Sequence, residues 1–359
     1  MANRRRPNPG ILSSPDIGVD AGSFRTRMAI AGQGVVVDEA SLVAIDTQRG
    51  GRIVAVGDAA RTYEEQDLPD IRAVRPIRAG VIADFTQGAR MFQRFVRRAL
   101  PDRTLLGPRA VATLPTEATA VEHTALHDAL RAAGCRMVVI IDQLLAAWVG
   151  SGLSTGEEGG RVVCNIGAGA TDIGVIARGR VVFGRTLRYG GGDLDEALRR
   201  AVRRRYGILL PSAAARALKA RLGAIDPSLV DEAMLCGCPL PLDMERTLSP
   251  AALCALTDVL AAALSPIVRE LEWMVEDLTP ERLSQIAGTE LVLTGGGAML
   301  RGTAEYIGHR IGLPTVVARD PRQAAIIGLN AMLQNFDGLS EDGKRFRRLS
   351  GPSGRRVPS

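Results

Sequence analysis

Apolar positions along the chain follow two periods. Ile17, Val19, Met28 and Ile30 recur at strand spacing on either side of a turn at residues 20–25. Val162, Val163, Ile166, Ile173, Val175 and Ile176 do the same around a turn at 167–171. A third apolar run, Leu291, Val292 and Leu293, ends in Gly295, Gly296 and Gly297. Each reads as a short buried strand entering a Gly-rich turn. The first two share one form, strand, acid or amide, small-residue turn, strand, about half a chain apart. That spacing implies two related halves facing each other. Between them the period changes to that of helices. Phe92, Phe95, Val96 and Leu100 share one face, with Thr86 as the expected cap, while Arg90, Arg94, Arg97 and Arg98 fall mostly elsewhere. Leu194, Ala197, Leu198, Ala201 and Val202 share another, with Asp193 as the expected cap. Residues 117–133 and 253–275 read as further helices. Strands alternating with helices predict an α/β fold with helix-covered sheets.

Composition fits two domains. The 359 residues are 46% hydrophobic but only 4% aromatic, so the cores are aliphatic. No run of about 20 uncharged apolar residues is expected to span a membrane, and Met1 to Gly10 has no apolar stretch behind its arginines to make a secretory signal. Five cysteines in a chain of this length suggest a reduced compartment rather than a disulfide framework. The net charge is +6. Residues 1–15 carry Arg4, Arg5 and Arg6 without an acid, and the last twenty residues have a net +4, so the body between is close to neutral. Both ends are rich in Pro, Gly and Ser and read as disordered basic tails, attractive to anionic membranes or nucleic acid, or serving only solubility. The organisation expected is a tail over 1–15, one domain over 16–152 joined by a returning helix at 322–336, a second over 153–321, and a tail over 337–359.

The turns carry the chemistry. Gly22 and Ser23 leave backbone amides free to point at phosphate, without a Cβ in the way. Asp20 is placed to hold a cation near those phosphates, Mg2+ through water. The turn Asn165-Ile166-Gly167-Ala168-Gly169-Ala170-Thr171-Asp172 repeats the logic, and Gly295 to Leu300 offers a strand end with flat backbone. One such turn is an ordinary hairpin; three in this order point to a nucleotide cleft. No Gly-Lys-Ser/Thr loop is present, which argues against a P-loop enzyme. His123 and His127, at i and i+4, lack a third metal ligand and read as helix surface. Cys236 and Cys238 have no second cysteine pair nearby and read as a loop.

These turns resemble those of the MreB-type bacterial actins, within the wider actin, sugar-kinase and heat-shock-chaperone fold. The stretch 75–85 (RPIRAGVIADF) is similar to a signature of that family, 189–197 (YGGGDLDEA) resembles its Gly-Gly-Asp helix start, and 291–302 its adenosine motif. The likeness runs from about Ile17 to Phe336. It implies an actin-like (ribonuclease-H-like duplicated) two-domain fold with a central nucleotide cleft holding ATP or ADP with Mg2+. Asp20, Gly22, Ser23 and Phe24 then form the first phosphate loop, and Asn165, Gly167, Ala168, Gly169 and Thr171 the second. Arg216 and Lys219 border the ribose; Gly295, Gly296, Gly297, Ala298 and Met299 face the adenosine; Gln143 positions the attacking water. The family also implies membrane-associated filaments that organise cell-wall synthesis and cell shape. The expected partners are other copies of the chain, the inner face of the cytoplasmic membrane and the wall-synthesis machinery, with no specific nucleic acid. Leu105 and Leu106 align with the family's membrane-inserting pair, with Arg94, Arg97, Arg98, Arg103 and Arg109 near them in sequence for anionic headgroups; the alternative is that both leucines tuck into the domain.

The departures gather on the nucleotide. Asn165 replaces an aspartate, Ala168 and Ala170 replace Gly and Thr, and Asp172 replaces a glutamate. Arg216 and Ala217 stand where the family offers acids to the ribose, and a guanidinium cannot accept hydrogen bonds. Asn330 replaces a glycine beside the hinge. Each lost charge or donor typically costs ~10²–10³-fold in rate, so hydrolysis is expected to be very slow or absent. A sugar kinase or chaperone ATPase of the same fold is disfavoured by the altered second loop and by the short stretch after the core; a non-polymerising regulator is the other alternative.

Overall fold

The computed structural model describes residues 14–66, 68–100, 106–152, 160–231, 249–277, 290–334 and 336. Its organising feature is one sheet built twice. In the first half, β1 (Ile17–Ala21), β2 (Arg25–Ile30) and β3 (Gly34–Ala40) form an antiparallel meander. A small sheet follows from β4 (Val43–Asp46), β5 (Arg52–Val56) and β6 (Ile71–Val74), with α1 (Arg61–Glu65) between the last two, and then a ribbon of β7 (Ile77–Arg78) and β8 (Val81–Ile82). Helix α2 (Phe85–Ala99), β9 (Arg109–Leu114), α3 (Ala120–Ala132) and β10 (Met137–Asp142) return the chain to the main sheet, whose order is β10-β9-β1-β2-β3. In the second half β11 (Arg161–Ile166), β12 (Thr171–Ala177) and β13 (Arg180–Leu187) repeat the meander. β14 (Leu291–Thr294) and β15 (Thr315–Val317) add in parallel, giving β13-β12-β11-β14-β15. Both sheets thus have three antiparallel strands, then two parallel ones on the side of the first. The expected duplicated actin-like fold is the observed one.

Each sheet has its own aliphatic core. Phe92 and Phe95 of α2 and Leu126 and Leu130 of α3 cover the first. The second is covered by α5 (Gly191–Tyr206), α6 (Ser212–Leu222), α7 (Pro250–Cys254), α8 (Thr257–Ala263), α9 (Ser265–Asp277) and α10 (Thr303–Ile311). A third core lies between the sheets, where α4 (Gln143–Gly150) crosses α11 (Ala324–Leu333) with Ala29, Val111, Val163 and Ile176 from both sheets. The two helices touch through glycine: a Cβ on Gly150 would lie 1.7 Å from the Ala324 carbonyl, and one on Gly328 1.9 Å from that of Ala146. Asn330 is half-buried on α11, and its Oδ1 has no hydrogen-bond partner.

Several local expectations shift. Asp84, not Thr86, caps α2, its carboxylate accepting the Gln87 amide at 3.0 Å. Gly190 caps α5, and Asp193 sits three residues in, accepting the Gly190 N–H at 2.8 Å. Thr119 and Glu122 make a reciprocal capping box, so α3 begins later than residue 117. The helix expected over 253–275 is broken into three, the last break at Ser265-Pro266, where the proline has no N–H to donate. Residues 251–277 include a stretch of 18 residues apolar enough to pass for a spanning segment, with a mean hydropathy of 1.9, although they are not free of charge. Their apolar side chains, Leu253, Leu256, Leu260, Leu264, Ile267 and Leu271 among them, are core of the second half. Cys135 and Cys164 are buried free thiols.

Candidate functional site

The two β-hairpins at the heads of the sheets have the same local geometry. A Cβ on Gly22 would lie 2.6 Å from the Arg25 carbonyl, and one on Gly167 2.8 Å from the Ala170 carbonyl. Both turns therefore fold back three residues later on a position where only glycine fits. The hairpins face each other. A Cβ on Gly169 would come 2.6 Å from Ser23 Oγ and 2.9 Å from the Ala79 nitrogen. The turn between β7 and β8, with Ala79 and Gly80 at positive φ, lies over the junction: the Gly80 N–H donates to Ser23 Oγ at 2.8 Å, and Arg188 reaches the Ala79 carbonyl at 2.7 Å. Gly191 and Gly192, at the start of α5, donate to the carbonyls of Gly167 and Ala168, both at 2.8 Å. Among the described residues, no protein acceptor takes the N–H of Ser23, Ala168 or Gly169. A rim of free amides with little side chain suits phosphate oxygens.

The third turn is seated on the second. Gly295 has φ +81°, and a Cβ there would lie 2.3 Å from the Ile166 carbonyl; Thr294 Oγ1 donates to Asn165 Oδ1 at 3.2 Å. Of the five residues expected to face adenosine, Gly296 and Met299 are exposed, whereas Gly295, Gly297 and Ala298 are buried supports. Thr171 is also a support: it is fully buried, and its hydroxyl donates to the Tyr189 carbonyl at 2.8 Å.

The charged candidates are already engaged. Lys219 pairs with Asp195 at 2.7 Å and donates to the Gly191 carbonyl, pinning α6 to the start of α5. Arg216 crosses from the second half to Glu64 on α1, at 3.2 Å. Glu64 also takes two donors of Arg75, at 2.8 to 3.0 Å. The guanidiniums of Arg61, Arg75 and Arg216 all stand 5.1–5.4 Å from the ring centre of Phe24, in the first loop. Arg216 thus links the second half to α1 and the first loop. Burial and the neighbouring Arg216 and Arg61 push Arg75 below its ordinary value, against the opposing pull of Glu64.

Hairpin register places two further groups at equivalent positions. Asp20 lies opposite Arg27, and Asn165 opposite Asp172. Asp172 is pushed up to about 7, chiefly by burial and further by Asp142, against the hydrogen bonds it accepts from Thr186 Oγ1 and the Thr116 N–H. Thr116 also donates to Asp142, which caps α4. Gln143 is the first residue of α4, half-buried beside this network.

The groups here suit phosphate better than a divalent cation. Asp20 is the carboxylate of the first hairpin, and Arg27 Nη1 stands 3.3 Å from its Oδ2, both side chains being almost fully buried; Asp172, on the second, is engaged by Thr186 and Thr116. Asn165 brings no charge. Burial raises the Asp20 pKa despite Arg27, which disfavours the anion a metal needs. Among the described residues no cluster of three His, Cys, Asp or Glu is placed to hold a metal; His127 pairs with Asp128 at 2.9 Å. Cys236, Cys238, Leu105, residues 1–13 and residues 337–359 lie outside the described residues; Ser14, at the end of the expected N-terminal tail, is buried with its hydroxyl on the Leu106 carbonyl, while the Leu106 residue itself is 53% exposed.

Comparison with known proteins settles the lineage. The family description "MreB/Mbl protein" matches residues 14–341. The chain belongs to the MreB/Mbl family. Within it, the chain is similar to the cell shape-determining protein MreB of Escherichia coli (strain K12), 34% identical over 333 residues, covering 91% of this chain and 95% of that one. It superposes on MreB5 of Spiroplasma citri, solved bound to AMPPNP and to ADP, with TM-scores of 0.79 and 0.78 and identities of 25% and 26%; each match covers 90% of this chain and at least 97% of the other. A MamK double helical filament shares the fold, with a TM-score of 0.68 at 18% identity over 89% of this chain and 98% of that one. This is therefore a cytoskeletal protein of actin type. Sequence reasoning missed Arg27 and Glu64, and it read Arg75 and the Ala79-Gly80 turn only as part of the 75–85 signature, without their contacts. Arg27 had a readable signal, since a four-residue turn after Ala21 pairs Ala21 with Thr26 and Asp20 with the residue seven positions on.

Proposed function

We propose that this chain forms nucleotide-binding filaments on the inner face of the cytoplasmic membrane, where they organise wall synthesis and cell shape. The reading rests on one observation: two glycine turns of equivalent geometry face each other with unclaimed amides. Adenine nucleotide bound between them would join the two domains, 16–152 with the returning 322–336 segment and 153–321, in one rigid subunit. The relatives support the ligand, because MreB5 was solved with both AMPPNP and ADP. Self-association is supported by the shared fold, which MamK uses in a double helical filament. Exposed Leu106 supports contact with a membrane, and filament avidity would multiply a weak single-subunit affinity.

Hydrolysis is proposed to be very slow or absent. Asn165 offers no carboxylate, Gln143 orients water but is a poor base, and Asp20 is held by Arg27. Sedimentation and negative-stain microscopy of the purified full chain with AMPPNP, with ADP and without nucleotide test the proposal, alongside phosphate release. The expected result is nucleotide-dependent filaments with no measurable turnover, and turnover gained in Asn165→Asp. Persistent monomers in every condition would refute the filament and favour a regulator; steady phosphate release from wild type would refute the loss of catalysis.

A further inference from the structure

The base of the cleft contains a cation of its own. Asp20, Arg27 and Asp38 lie opposite one another on β1, β2 and β3. Arg27 stands between the acids, 3.3 Å from Asp20 and 3.4 Å from Asp38, with its side chain 8% exposed. Asp38 is shared with Arg25. Asp20 keeps one buried oxygen, Oδ1, with no hydrogen-bond partner, and Arg27 Nε is likewise without a hydrogen bond. In the second hairpin the equivalent pair is Asn165 and Asp172, with no cation. The duplicated fold thus carries a fixed guanidinium on one of the two facing hairpins, with the Ala21–Thr26 pair and Gly22 between it and the free amide of Ser23. A guanidinium presents several donors in a fixed fork that matches phosphate oxygens, and it is always charged. A divalent ion at Asp20 would sit beside that charge in a poorly hydrated site, where like charges repel strongly.

We infer that Arg27 supplies the positive charge of the phosphate site in place of a divalent cation, so that the chain takes nucleoside di- and triphosphates without metal. The inference rests on the nucleotide-binding reading above. It concerns how the ligand is neutralised, which that reading leaves open. Arg27 is buried and already placed, so its side-chain ordering is complete before the ligand arrives. Asp20 and Asp38 orient the fork rather than bind metal.

The test is titration of the full-length protein with a fluorescent N-methylanthraniloyl ADP and with AMPPNP, in Mg2+ and in excess EDTA. Wild type is expected to bind with affinities agreeing within about threefold in the two buffers. Arg27→Met is expected to lose about tenfold or more in EDTA, as for a charge-assisted hydrogen bond, and to recover part of it in Mg2+; Arg27→Lys, which keeps the charge, should retain binding in EDTA. Thermal melting identifies any variant that fails to fold, and the wild-type comparison stands without it. Mn2+ added to the wild-type complex should leave the electron paramagnetic resonance signal of the free ion unchanged beyond what nucleotide alone takes up. Binding tighter by tenfold or more in Mg2+ than in EDTA overturns the inference and leaves the nucleotide reading intact. No binding in either buffer overturns both.

Discussion

Removing Arg216 should loosen the cleft without unfolding either half. Its guanidinium lies 3.2 Å from Glu64 and 5.4 Å from the Phe24 ring centre, with about a quarter of its side chain exposed. A pair this exposed is worth about 1 kcal/mol after desolvation and side-chain ordering. The ring contact adds roughly 0.5–1 kcal/mol. Truncation to alanine strands no charge, because Glu64 keeps its two-donor bond to Arg75. The closed state therefore loses about 1.5–2 kcal/mol relative to the open one, a factor of about ten or more in the fraction open. Fluorescent ADP should leave Arg216→Ala about tenfold faster in a stopped-flow chase, with Tm lowered by no more than about 4 °C. Arg216→Lys, which keeps the charge but not the planar contact, should fall between. An unchanged release rate in a folded Arg216→Ala protein would show that opening does not break this contact, and would refute the reasoning.

Other consequences follow from particular atoms. Gly328→Ala puts a methyl 1.9 Å from the Ala146 carbonyl and forces α11 off α4; chemical denaturation should show a loss of about 3 kcal/mol or more, and a Tm within about 2 °C of wild type would contradict the close crossing. Asp172, held up to about 7 from an ordinary 3.8, binds more protons folded than unfolded. Its contribution is full below about pH 4 and lost as pH rises through 7, so Asp172→Asn should melt higher than wild type at pH 8, with the difference shrinking towards pH 4. A pH-independent difference would contradict that assignment. Leu106→Glu should cut co-sedimentation of filaments with anionic vesicles, since an inserted leucine contributes about 1.5–3 kcal/mol per subunit; pelleting equal to wild type would remove that loop from the membrane contact.

The sequence made the architecture readable because the duplication is written in local signals. Two hairpins with glycine at the same offset, and a third Gly-rich strand end, fix the three turns before any tertiary contact is known. The roles of individual residues were harder to read, because they depend on what packs beside them. Thr171 looked like a phosphate ligand but donates to Tyr189, and Gly297 looked like an adenosine contact but is packed on Ile166. Arg216 was visible as a departure, while its partner Glu64 lies 152 residues earlier, and no local pattern joins them. Helix caps were off by two or three residues, because Thr86 and Asp84, or Asp193 and Gly190, offer competing acceptors within one turn.

A crystal structure of the full chain grown with AMPPNP tests the central claim most directly. The account predicts one nucleotide between the halves, its phosphates on the amides of Ser23, Ala168 and Gly169, and its base against Gly296 and Met299. Analogue bound outside this cleft, or phosphates held by neither hairpin, would contradict it.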